Sequence, residues 1–208
     1  MSSRLSAFSR VGGFNVHERL RSVGAIRQRV AEGALGHVLE LGGDSGANLF
    51  LYPRTITSLT ALVSRPGVSP AVIRQATRQL TFPVDRRVGT LESLPLKDHA
   101  YDTVVSTFAL GTTPDPQRAL AEIRRVLKPG GRLLFVECGL SRDGDVAQWQ
   151  QRCAPLLRVL CGVRGPLRLP DDEMANAGFS LKHVECHYLA RMPRALGCLY
   201  EGVAFTED

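Results

Sequence analysis

The feature that most constrains this chain is the run His37-Val38-Leu39-Glu40-Leu41, which passes directly into Gly42-Gly43-Asp44-Ser45-Gly46. The run is short and apolar, and it ends on turn residues, so it predicts a buried strand. Glycines at its carboxyl end permit positive φ and let a backbone approach a ligand closely. Such a strand suits a doubly wound α/β sheet, which takes ligands at the carboxyl ends of its strands. A glycine-rich turn also serves merely to pack a helix, so the rest of the chain has to decide.

The rest of the chain alternates. Val16, Leu20, Val23 and Val30 recur at helical spacing and predict a helix to about Glu32. Strands are predicted at Ile56–Val63, Arg86–Gly89, Asp102–Ser106 and Arg132–Glu137. Ser69-Pro70 predicts the start of a helix containing Val72, Ile73, Ala76 and Leu80, and Asp115-Pro116 predicts another, ending at Pro129-Gly130-Gly131. A further helix is predicted from about Val146 to Cys161, then β segments at Ser180–Tyr188 and Cys198–Ala204. The unbroken apolar centre of Leu133–Val136 suits a strand buried on both faces of a parallel sheet. The fold expected is α/β and Rossmann-like, with helices flanking a mostly parallel sheet. Residues 1–14 are expected to be a basic tail, and 15–208 one domain.

With 208 residues the chain is long enough for a full core. No apolar run reaches the roughly 18–20 residues that span a bilayer, so a soluble protein is expected. Net charge is +6, which permits contact with RNA or anionic lipid without requiring it. The first thirty residues carry Arg4, Arg10, Arg19, Arg21, Arg27 and Arg29 against the single acid Glu18. That start fits a mitochondrial presequence as well as a tail and surface helix, leaving cytoplasm and mitochondrial matrix both open. Five cysteines without CxxC spacing argue against a zinc site or a disulfide framework, and buried inert thiols are expected.

Val38-Leu39-Glu40-Leu41-Gly42 resembles the opening motif of class I S-adenosylmethionine (SAM) methyltransferases. Glu92-Ser93-Leu94-Pro95-Leu96, followed by Tyr101-Asp102-Thr103-Val104-Val105, resembles their third-strand loop and fourth strand. Arg125-Val126-Leu127-Lys128-Pro129-Gly130-Gly131 resembles the approach to their fifth strand. Ser45-Gly46-Ala47-Asn48-Leu49 with Tyr52-Pro53, Trp149-Gln150 and the stretch Pro193–Ala204 are similar to the type 11 subgroup that includes thiol S-methyltransferases. Bacterial relatives of that subgroup are often labelled phosphatidylethanolamine N-methyltransferases. The resemblance implies a seven-stranded sheet, SAM as cofactor and a small-molecule thiol, amine or lipid as acceptor. It implies a cofactor site at Glu40, Gly42, Gly43, Asp44, Gly46, Val63, Thr90, Leu91 and Phe108, with Glu92 beside them.

The cofactor-side residues depart from the family pattern. Asp44 stands where the family has its middle glycine. The family's ribose-binding acid falls at Val63, or at Thr60 in a gapped alignment, and no acid occurs between Asp44 and Asp85. Hydrogen bonds to a charged acceptor contribute about 1.5–3 kcal/mol, so SAM should bind roughly one to two orders of magnitude more weakly unless something compensates. Thr90 replaces an acidic or polar residue expected beside adenine, and Cys138 follows Glu137 where His is frequent. No residue stands out as a general base; Glu137, Cys138, His183 and His187 are the candidates. Two functions follow: a SAM-dependent methyltransferase with an eroded cofactor site, or a non-catalytic methyltransferase-like subunit. The second, a pseudoenzyme, fits a mitochondrial ribonucleoprotein with rRNA or ribosomal proteins as partners, since arginine-rich surfaces bind phosphates without a motif.

Overall fold

The structure is a computed structural model that describes residues 16–43, 46–64, 77–155, 167–189 and 192–207. Its elements in chain order are α1 (Val16–Glu32), β1 (His37–Leu41), β2 (Ser58–Val63), β3 (Val84–Val88) and β4 (Tyr101–Thr107). A 3₁₀ turn (Leu110–Thr112), α2 (Pro116–Val126), β5 (Leu127–Cys138), α3 (Gly144–Arg152), α4 (Pro170–Asn176), β6 (Phe179–Tyr188) and β7 (Cys198–Thr206) follow. The strands form one seven-stranded sheet in the order β3-β2-β1-β4-β5-β7-β6. Strands β1 to β5 are parallel to one another, while β7 runs antiparallel between β5 and β6. The chain reverses strand order between β1 and β4, and this switch point opens a crevice at their carboxyl ends.

Each face of the sheet carries its own core. Leu39, Leu41, Val104, Leu133 and Phe135 pack against Leu120, Ile123 and Val126 of α2 and Met174 of α4. On the other face Val38, Leu59, Val105, Leu134 and Val136 pack against Ile26, Val30 and Ala31 of α1. The division follows from the alternation of side chains along a strand. Asp115 caps α2 by accepting from the Arg118 amide, with Pro116 at the first helical position, as the sequence predicts.

Several boundaries move. Strand β5 begins at Leu127, so Pro129-Gly130-Gly131 lies inside the strand rather than before it. Helix α3 runs over Gly144–Arg152, while 156–166 lies outside the described residues, as do the helix predicted from Ser69 and the basic tail. Helix α4 has no counterpart in the sequence reading. At seven residues it is too short for a periodic signal, although Pro170 at its start and Asp171, Asp172 and Glu173 in its first turn were legible. No helix among the described residues is long and apolar enough to cross a membrane.

Candidate functional site

The carboxyl ends of the parallel strands frame an open cleft of about 440 Å³. Gly42 follows β1 on its floor, and Leu62, Val63 and Ser64 bring the end of β2 to one side. Gly89, Thr90, Leu91 and Glu92 come from the loop after β3, and Ala109 and Thr112–Pro114 from the segment after β4. Gly42 has φ +71°, which a side chain would strain, and a Cβ on Gly43 would come within 2.9 Å of the Ala61 Cβ. Both glycines are thus required by the turn itself. Gly46 is exposed nearby, and Asp44 lies outside the described residues.

Glu40 is buried just before this turn. The Asn48 amide nitrogen donates to Glu40 Oε1 at 2.8 Å and to Thr107 Oγ1 at 2.9 Å. Asn48 Oδ1 in turn accepts from Arg27 Nη1 of α1 at 3.3 Å. The Arg27 guanidinium lies 5.3 Å from the centre of the Phe108 ring, a cation–π contact. Phe108 has φ +58° immediately after β4, and its amide donates to the Val136 carbonyl at 2.8 Å. Burial pushes the Glu40 carboxyl up to about 7, against the opposing pull of Asn48 and Arg27. The Tyr52 hydroxyl is buried beside this group without a hydrogen bond of normal geometry.

Glu92 joins the two rims of the cleft. Its carboxylate accepts from the Thr113 hydroxyl, and its carbonyl accepts from Arg118 Nε at 3.0 Å. Burial works against its charge, but hydrogen bonds from Thr113, its own amide and Thr90 outweigh burial and hold its carboxyl below the usual range.

A second, apolar hollow of about 50 Å³ lies behind the same segment. Leu110, Gly111, Pro116, Leu120, Leu167 and Pro170 line it, with Glu137, Cys138, Arg168 and Glu173 at its polar edge. Glu137 is wholly committed to structure. It accepts from Ser106 Oγ at 2.6 Å, from the Ala109 and Leu110 amides at 3.1 Å each, and from the Gly111 amide at 3.3 Å. It therefore caps the 3₁₀ turn whose two sides wall the two cavities. Arg168 and Glu173 pair at 3.1 Å.

Gly42, Val63, Thr90 and Leu91 thus meet in one cleft, whereas Glu40 and Phe108 stand behind it in the buried network. Val63 is only 1% exposed, so it is a wall, and the polar group at the end of β2 is Ser64, which the sequence reading passed over. The reading also missed Arg27, taken for a surface arginine, and the bond from Asn48 to Glu40. Neither signal is local, because partners 8 to 81 residues apart meet only in the fold. His183 and His187 lie on the edge strand β6 and line neither cavity. His183 pairs with Glu185 at 2.9 Å, and His187 lies between Glu185 at 3.2 Å and Glu201 at 3.3 Å. Their role as base candidates is corrected accordingly. No cluster of metal-binding side chains occurs among the described residues.

Residues 39–135 match the family model described as a methyltransferase domain, of type 11. With the sheet order and the glycine turn, this gives the chain a methyltransferase domain of the class I fold, and the cofactor that domain implies is SAM. A particular set of relatives narrows the description. The chain is 34% identical over 153 residues to the thiol S-methyltransferase TMT1B of Homo sapiens, covering 71% of this chain and 62% of that protein. It is 34% identical over 124 residues to phthiotriol/phenolphthiotriol dimycocerosates methyltransferase 1 of Mycobacterium ulcerans, covering 59% and 41%. The chain thus spans less than two thirds of either relative's length. A SAM-dependent methyltransferase structure from Mesorhizobium loti superposes with TM-score 0.62 at 17% identity, covering 87% of this chain and 95% of that one.

Proposed function

We propose that this protein transfers the methyl group of SAM to a small, uncharged, apolar acceptor, a thiol first among them. The observation that carries the reading is the apolar hollow behind the 3₁₀ turn, whose polar edge is already neutralised by the Arg168–Glu173 pair and by Glu137's four hydrogen bonds. A charged acceptor would leave water there without a partner in exchange.

The residues present fit an adenosyl cofactor in the open cleft. Gly42 and Gly46 would admit its amino-acid end, with Glu40 organising the turn from behind. Val63 and Ser64 would flank the ribose, and Thr90, Leu91 and Glu92 would flank the base. When bound, the cofactor supplies an electrophilic methyl group already activated by its sulfonium. The chain's own task is then orientation and exclusion of water. Among the described residues lining the hollow, no carboxylate or imidazole stands ready as a base, since Glu137 and Glu173 are both engaged. That favours an acceptor that enters neutral and needs no prior loss of a proton: at pH 7 an alkyl thiol is uncharged, whereas an alkyl amine is a cation with no free nucleophilic lone pair.

Calorimetric titration with SAM and S-adenosylhomocysteine, followed by product analysis with matched alkyl thiols and amines, tests the reading. Micromolar cofactor binding with thiol methylation is expected. Absence of binding at millimolar cofactor would overturn it. It would favour the non-catalytic alternative, a subunit of a ribonucleoprotein, which rests on the basic charge and on the neutral Val63–Ser64 rim. Methylation of amines alone would overturn the thiol preference.

A further inference from the structure

Cys186 and Cys198 are neighbours in the fold although twelve residues separate them in the chain. They sit on β6 and β7, diagonally across an antiparallel pair in which Cys186 faces Tyr200 and Tyr188 faces Cys198. Diagonal neighbours on one face of such a pair lie within side-chain reach. Here the two Sγ atoms are 3.5 Å apart, and both thiols are free. Cys186 is exposed, whereas Cys198 is 3% exposed. The first departs from the buried, inert thiol that the sequence predicts.

We propose that Cys186 and Cys198 form a redox modification site, closed to a disulfide by peroxides. The asymmetry of the pair sets the order of events. The exposed Cys186 sulfur attacks a peroxide oxygen, the O–O bond breaks, and Cys186 sulfenic acid and one water result when the oxidant is hydrogen peroxide. The Cys198 sulfur then attacks the Cys186 sulfur, the S–O bond breaks, and hydroxide leaves with the Cys198 proton as a second water. Two thiols are oxidised by two electrons, and one peroxide is reduced to two waters. Burial, reinforced by the neighbouring Cys186 thiol, pushes the Cys198 thiol up to about 12. Cys198 is therefore a poor first target and reacts through its proximity to Cys186.

The site adjoins the acceptor side. The Gly139 amide donates to the Cys198 carbonyl at 3.2 Å, and the Tyr200 hydroxyl donates to the Leu140 carbonyl at 2.7 Å. Gly139 follows Cys138, which lines the apolar hollow. The oxidised pair would tie β6 to β7 at the point from which the hollow's edge is hung.

The test treats the reduced full chain with equimolar hydrogen peroxide, blocks remaining thiols with N-ethylmaleimide, and maps peptides by mass spectrometry. A linked Cys186–Cys198 peptide, 2 Da lighter than the two thiol peptides together, is expected as the first product. The link should disappear in Cys186→Ser and in Cys198→Ser, and persist in Cys153→Ser. Cys186 should accumulate as a dimedone-reactive sulfenic acid in Cys198→Ser, a readout that needs only the exposed residue to be intact. Full maleimide labelling of both cysteines after peroxide would overturn the proposal. So would a link that forms only in urea.

Discussion

The Asn48 side chain donates to Glu40 at 2.8 Å and accepts from Arg27 at 3.3 Å, so a buried carboxyl at the switch point is tied to the first helix by one amide. The family resemblance starts at Val38, yet this tie begins in α1, ahead of the matched segment.

Glu40 should make stability pH-dependent. Its folded pKa, about 7, lies above the ordinary 4.5. Its stabilising contribution is therefore complete below pH 4.5 and is lost as pH rises through 7, by about 3 kcal/mol at most. Glu40→Gln keeps an acceptor for Asn48 and has no charge to bury. Urea unfolding at pH 5 and pH 8 should show a smaller loss on going to pH 8 than in the wild type. Some slope should persist, because burial raises Glu137 as well. Arg27→Met should move the Glu40 portion of the loss to higher pH, since Arg27 helps to hold the carboxyl down.

The rim of β2 offers a gain of function. Ser64→Asp places a carboxylate at the open end of the cleft, where it would reach the ribose hydroxyls of a cofactor seated as proposed. Calorimetry should show SAM affinity rising about tenfold, the low end of what charged hydrogen bonds supply. Val63→Asp should fail instead. Its side chain is buried, and an unpaired charge there costs several kcal/mol, seen as a lowered urea midpoint. Equal cofactor gains in both variants would refute this assignment of wall and rim.

Glu137→Ala should destabilise the fold by about 3 kcal/mol or more. Three backbone amides and the Ser106 hydroxyl lose their acceptor, and each buried donor left unpaired costs about 1–3 kcal/mol. The measurement is a denaturant midpoint at constant m-value. A loss of turnover without loss of stability would instead assign Glu137 to the chemistry.

Leu167→Trp adds bulk to the lining of the hollow. The KM for long alkyl thiols should rise at least tenfold while that for the shortest stays within a factor of about two, and the SAM dissociation constant should not move. A matched rise for every acceptor would show that the hollow is not the acceptor site.

Much of the fold was legible because its signals are local. The turn after Leu41, the Asp115-Pro116 cap and the apolar run Leu133–Val136 each declare themselves within a few residues. Helix α4 escaped because two turns carry no period. The start of β5 differs because Pro129-Gly130-Gly131 ordinarily ends elements; here Leu127 pairs with Tyr101 ahead of it, the register shifts across it, and regular pairing with β4 resumes at Arg132. In the site, the family resemblance points to Gly42, Thr90 and Leu91, and all three line the cleft. Arg27 and Ser64 were not found, since one is an arginine among many and the other follows a strand whose last residue seemed the natural contact.

The 3₁₀ turn held by Glu137 is a party wall. One face of it bounds the cleft and the other bounds the hollow, so under the proposed assignment of the two cavities a substitution between Ala109 and Pro114 would act on cofactor and acceptor together. The far side of the hollow, Leu167 to Glu173, is bound by no such double duty. Descendants of this chain can therefore change diet through that stretch without renegotiating the cofactor, and divergence in acceptor should concentrate there.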